Sequence, residues 1–188
     1  MKKNRSLFLR ENAMRYIILI FMTLVTTAAA SQNIDEKVQR LLHPEKSDMD
    51  ISLELLSYGK DAIPFLIKVI DVNEKGFIGF KDPLDSRIPD AIYNSLGMRA
   101  AYEIELILAM DERANFKNKR YNHLFGYGYI VRTVEKEQLK AMTNEDMKVI
   151  KAIYLKWWGQ NKTKNINQLK NDWQKGHQPL SNSGFIWI

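Results

Sequence analysis

Residues 1–30 decide how much of this 188-residue chain has to build a fold. Lys2, Lys3, Arg5, Arg10 and Arg15 form a basic front. An apolar run follows from Tyr16 to Val25, and Thr26-Thr27-Ala28-Ala29-Ala30-Ser31 closes it. That order is the pattern of a secretory signal, and Ala28 and Ala30 are small enough for the −3 and −1 positions of a cleavage site. Cleavage is expected between Ala30 and Ser31, leaving 31–188 as one domain addressed to the periplasm or the outside of a bacterial cell. The run with its Thr-Ala tail covers about 15 residues, short of the roughly 20 that cross a bilayer core, so membrane contact is expected only through the leader before cleavage. A retained anchor is the other reading of this segment. Met14 serves as a start as well as Met1 does, because the residues between them add nothing that a signal needs.

Setting the leader aside changes the charge of what folds. It holds five of the 28 basic residues and one of the 22 acidic ones, so the remaining residues are nearly neutral. The pI near 9.4 therefore belongs partly to the leader and makes no case for a nucleic-acid partner. The chain has no cysteine. In an oxidising compartment the domain must then hold by packing alone, and thiol catalysis and thiolate metal sites are excluded. His43, His123 and His177 are the only histidines, a thin supply for the common zinc constellations. No metal and no cofactor are expected.

The periodicity along 31–188 is helical. Ile34, Val38, Leu41 and Leu42 share a face that ends at His43-Pro44. Ser47 with Asp50 resembles a capping box opening a helix with Ile51, Leu53, Leu55 and Leu56, which stops near Tyr58 with Gly59 at the left-handed position. Asp61 is expected to cap the next helix, Pro64 falls in its first turn, and Ile63, Leu66, Ile67 and Ile70 form its buried stripe. The short Gly59-Lys60 link implies a helical hairpin. Residues 73–95, broken by Gly76, Gly79, Pro83 and Pro89, read as a long packed loop. A helix from Leu96 to about Glu112 buries Ala100, Ala101, Ile104, Ile107 and Leu108. A second loop covers 113–129. Thr143 with Asp146 opens the longest helix, which carries Met147, Ile150, Ile153, Tyr154 and Trp157 to about Gly159. Asn165 caps a last helix with Ile166, Leu169 and Trp173, and the apolar end Phe185-Ile-Trp-Ile188 is expected to dock on the body. The fold class is all-α, with two long loops and a docked tail.

Gly59-x-x-Ala62 followed by Leu66, Val69 and Ile70 matches Gly97-x-x-Ala100 followed by Ile104, Ile107 and Leu108, at an offset of 38 residues. Each reads as a glycine bend feeding a helix whose alanine permits close packing. With Gly59-Lys-Asp-Ala-Ile-Pro-Phe-Leu66 and the Trp-rich Tyr154-Leu-Lys-Trp-Trp-Gly-Gln-Asn-Lys162, residues 48–162 resemble HEAT-like helical-hairpin repeats. The resemblance implies protein binding on a stacked-helix surface and brings no catalytic residues.

No zinc-protease, nucleophile-elbow, phosphate-loop, dinucleotide or EF-hand signature appears. Glu103 and Glu105 lie two apart on one helix, so their side chains point to different sides and make no carboxylate pair. Glu103 shares a side with Ala100 and Ile107 and suits an ion pair with a lysine or arginine. The expected role is non-enzymatic: an exported domain that binds another protein, for instance a periplasmic inhibitor or immunity-type protein. Its candidate contacts are Phe77 and Phe80 in the first loop, Lys117, Lys119, Arg120, Tyr127 and Tyr129 in the second, and Trp158, since the adjacent Trp157 and Trp158 need different neighbours to be buried. The alternative is an envelope protein acting on or binding glycan. It would use the Phe125-Gly-Tyr-Gly-Tyr129 loop, whose aromatics can stack on a sugar, with Glu103, Asp111 or Glu112 as acids.

Overall fold

The computed structural model describes residues 14, 16–17, 20, 22–23, 30–42, 48–73, 95–109, 130–134, 138–140 and 142–187. The chain divides into two units, Met1–Glu36 and Lys37–Ile188. The described residues of the first are helical; Met14, Tyr16, Ile17, Ile20 and Met22 are exposed, as are Ala30 and Ser31. Among the described residues no helix is long and apolar enough to cross a membrane.

The protein is mostly helical. Residues 30–42 (α1) bury Val38, Leu41 and Leu42. They are followed by α2 (Asp48–Tyr58), a 3-10 turn (Gly59–Ala62), α3 (Ile63–Lys68), α4 (Leu96–Ala109), α5 (Asn144–Asn161) and α6 (Ile166–Gln174). Gly59 has φ +55°, which suits its expected place just past α2. Asp61 does not cap α3: it is an exposed residue of the 3-10 turn, and Ala62 holds the N-cap position without a side-chain bond. Ile63, Leu66, Ile67 and Ile70 are fully buried, and Pro64 sits in the first turn of α3. The caps of α5 and α6 are complete capping boxes, Thr143 with Asp146 and Asn165 with Gln168. Ser47, expected to cap α2, lies outside the described residues.

Helix α4 is the hub, with α2, α3 and α6 all packed on it. Instead of forming a pair closed mainly on itself, α2 and α3 each find their main helix partner in α4. Met98, Ala100, Ala101, Ile104, Ile107 and Leu108 put nearly the whole circumference of α4 out of water, and each large aliphatic side chain so buried contributes about 1.5–3 kcal/mol. Ser95 caps α4 through Oγ, which accepts from Met98 N at 3.1 Å. Gly97 is not a bend. It lies inside α4, where its N–H donates to Val72 O at 3.0 Å, and an added Cβ would stand 1.9 Å from Ile70 O.

A small sheet joins the helices. β1 (Ile130–Val134) pairs antiparallel with β2 (Gln138–Lys140) and with β3 (Phe185–Trp187), in the order β2-β1-β3. The apolar tail therefore docks as a strand, with Phe185 buried and Trp187 edge-on to Tyr102 of α4 at 5.9 Å.

Two buried glutamates tie α4 to its neighbours. Glu103 Oε1 accepts from Ser52 Oγ at 2.6 Å and from Arg99 Nε at 2.9 Å, which fastens α2. Glu105, fully buried, accepts from the Tyr154 hydroxyl at 2.7 Å and from Trp173 Nε1 at 2.6 Å, which fastens α5 and α6. Burial pushes the Glu105 carboxyl above the usual carboxylate range, and Trp173, Tyr154 and Trp187 pull it partly back.

Gly97→Ala forces a methyl into backbone that has no rotamer to give, so it should cost about 2–3 kcal/mol or more. Gly59→Ala meets open space and only a left-handed φ, so it should cost about 1 kcal/mol. Urea unfolding of both variants checks the ranking. A second outcome concerns pH. Glu105 binds its proton more readily folded than unfolded, so its contribution is full below the ordinary carboxylate range and declines as pH rises through that range towards its folded pKa. Glu105→Gln, which can still accept from Trp173, should remove this decline, so the stability difference between wild type and variant changes across the acidic window. Urea midpoints measured from pH 4 to 8 read it directly.

Candidate functional site

The last turns of α5, Asp172 of α6 and the loop 175–183 border an open cleft of about 670 Å³. Local chemistry fixes its walls. At the end of α5, Asn161 Nδ2 donates to Trp157 O at 2.8 Å, and Lys162 N donates to Trp158 O at 2.8 Å. The carbonyls left over beyond the helix receive the Lys60 ammonium, at 3.2 Å from Lys162 O and 2.9 Å from Lys164 O. Lys151 reaches Lys68 O and Asp71 Oδ1, both at 2.6 Å, and so binds α5 to the end of α3.

The loop wall is equally tied down. His177 N donates to Asp172 O at 3.0 Å, Gln178 N to Ser181 Oγ at 2.9 Å, and Ser181 Oγ to Gly176 O at 2.6 Å. Three left-handed residues shape it: Gly176 at φ +85°, Asn182 at φ +59° and Gly184 at φ +81°. Asn182 is the one non-glycine residue with positive φ among those described, a conformation that asparagine tolerates better than most residues.

Inside the cleft, Lys164 Nζ lies 2.6 Å from Asp172 Oδ2. This bond holds the Asp172 carboxyl below its usual range, and His177 and Lys175 add to the effect. Trp157 and Trp158 lie with ring centroids 6.1 Å apart, tilted by 33°. Neither is buried. Both are half-exposed, so Trp157, read as part of the buried stripe of its helix, instead lines the cleft. Asp172 is the one carboxylate lining the cleft among the described residues, and it is already paired. The cleft lining offers an indole, amides, hydroxyls, the Lys164–Asp172 ion pair, and the side chains of Lys156 and His177.

Of the residues singled out in the sequence, Trp158 is placed, beside the exposed Leu155. Phe77, Phe80, Lys117, Lys119, Arg120, Tyr127 and Tyr129 lie outside the described residues, as do Asp111, Glu112, His43 and His123. Glu103 sits in the buried ion pair expected of it, at 2.9 Å from Arg99 and away from solvent. Glu105 carries more of the structure than its spacing suggested. The cleft residues Gln160, Gln178 and Asn182 had no periodicity to reveal them. The signal that did exist was the turn-rich stretch from Gly176 to Gly184. Among the described residues no group of three or more His, Asp or Glu side chains could hold a metal ion. No protein family, no curated protein and no solved structure matches the chain.

Proposed function

We propose that this chain is an exported, non-enzymatic helical domain that binds another protein, in the manner of a periplasmic inhibitor or immunity-type protein. The observation that carries this reading is a pair of neighbouring apolar side chains on α5. Leu155 and Trp158 stand three residues apart, about 60° apart around the axis, and so are neighbours on the helix surface. Leu155 is 51% exposed and Trp158 is half-buried. Large apolar side chains set together on an otherwise charged helix are what a partner's surface covers. Tryptophan beside leucine is a suitable centre for such a contact. The signal-like residues 1–30 support export, and the HEAT-like resemblance over 48–162 supports a binding surface made of helices.

The test places a photo-crosslinking residue at Leu155 and, as control, at Lys148 of the same helix. A single adduct formed from Leu155 and absent from Lys148 is expected, and the partner identified from it should bind the purified protein. Leu155→Asp should weaken that binding by about 30-fold or more, the scale of a central hot spot. The variant's unfolding midpoint should stay within about 0.5 kcal/mol of wild type, since the side chain is exposed. No specific adduct, or unchanged affinity in Leu155→Asp, sinks the reading.

A further inference from the structure

We propose that the cleft between α5, α6 and the loop 175–183 is a carbohydrate site that takes a short oligosaccharide with one ring stacked on Trp157. The site lies beside the Leu155–Trp158 pair, with the Trp157 and Trp158 rings 6.1 Å apart, and does not rest on that pair's binding a protein. Its aromatic wall is a half-exposed indole with a face large enough for the C–H face of a pyranose. Around it stand Gln160, Gln178 and Asn182, whose side-chain amides enter no hydrogen bond among the described residues. Each amide offers both a donor and an acceptor, and so does each sugar hydroxyl.

Charge selects the ligand further. Lys164 and Asp172 cancel each other at 2.6 Å. Lys156 and His177 line the cleft as well, so an acidic substituent on the sugar is tolerated, whereas an apolar ligand would bury the three amides against nothing. A polyhydroxylated chain satisfies the amides without breaking the ion pair. The loop is also set before binding. Ser183 Oγ donates to Leu180 O at 2.6 Å and accepts from Phe185 N at 3.2 Å, so the wall runs without slack into β3. A preset wall loses little conformational freedom when the ligand arrives.

The test titrates the purified full chain with chitin-, cellulose- and bacterial-wall-derived oligosaccharides at up to millimolar concentration, by calorimetry and tryptophan fluorescence. Binding of at least one of these probes is expected. Trp157→Ala should weaken it about tenfold or more and Trp157→Phe by less, because a smaller ring keeps part of the stacking. Gln178→Ala should weaken it about fivefold. Asn182→Gly keeps the left-handed backbone, removes the amide and should also weaken binding, which guards against misreading a folding defect as a lost contact. Leu155→Asp should leave sugar binding unchanged while abolishing capture of the protein partner. Overturning results are the absence of binding to every probe, sugar binding indifferent to both Trp157→Ala and Asn182→Gly, or occupation of the cleft by a peptide in place of sugar. None of these results bears on capture of a protein through Leu155.

Discussion

The Glu105 carboxylate holds three helices with neutral hydrogen-bond donors, and the C-terminal half of the protein is arranged around it. A carboxylate taken wholly out of water loses its hydration, and a nearby cation is the usual remedy. Here Tyr154 from α5 and Trp173 from α6 meet the two oxygens one each, and the Trp187 indole of β3 pulls in the same direction. The phenol of Tyr154 is itself buried, and burial together with the adjacent carboxylate keeps it protonated far beyond ordinary pH. It therefore remains a donor wherever Glu105 is charged. The arrangement is directional in a way that aliphatic packing is not. Leu108 or Ile104 would tolerate a rotated α6, whereas an indole N–H at 2.6 Å would not.

The second glutamate of α4 does different work with a different partner. Glu103 uses a cation, Arg99 one helical turn earlier, and adds Ser52 from α2. Arg99 also donates to Ser52 Oγ, closing a three-membered network over the α2–α4 contact. Two residues apart on one helix, the glutamates fasten opposite sides, the N-terminal helices through Glu103 and the C-terminal ones through Glu105. Gly97 completes the hub by letting the first turn of α4 touch the backbone at Ile70 and Val72, which no residue with a Cβ could do.

What the sequence disclosed follows how far each interaction reaches along the chain. The boxes at Thr143–Asp146 and Asn165–Gln168 span three residues, and the buried stripes of α3 and α4 repeat every three or four, so both are written locally. The Glu103–Arg99 pair is also local, one helical turn long. The Glu105 bonds join residues 49 and 68 positions apart, and nothing at Glu105 marks it as buried. The sheet was missed for the same reason: Ile130 meets Trp187, and two strands of three residues carry too little alternation to register against helical neighbours. The tail's apolar character was legible, but its strand partner was not. Trp157 misled because a helical stripe records which residues align, not whether a further element arrives to cover them.

The cleft and the Glu105 clamp are mechanically one object. Trp173 and Asp172 are consecutive on α6, so their side chains diverge by about 100° around the axis. The first points inward to Glu105 and the second outward to Lys164. On α5, Tyr154 and Trp157 stand one turn apart in the same relation, with Tyr154 buried on Glu105 and Trp157 lining the cleft. Each wall of the cleft is thus one turn or less from a residue locked into the core. Recognition by stacking needs its aromatic platform held at a fixed height and tilt, and a helix free to roll would present the Trp157 face at a different angle on each encounter. The clamp removes that freedom from both helices at once. An internal carboxylate can therefore set the geometry of a surface it does not touch.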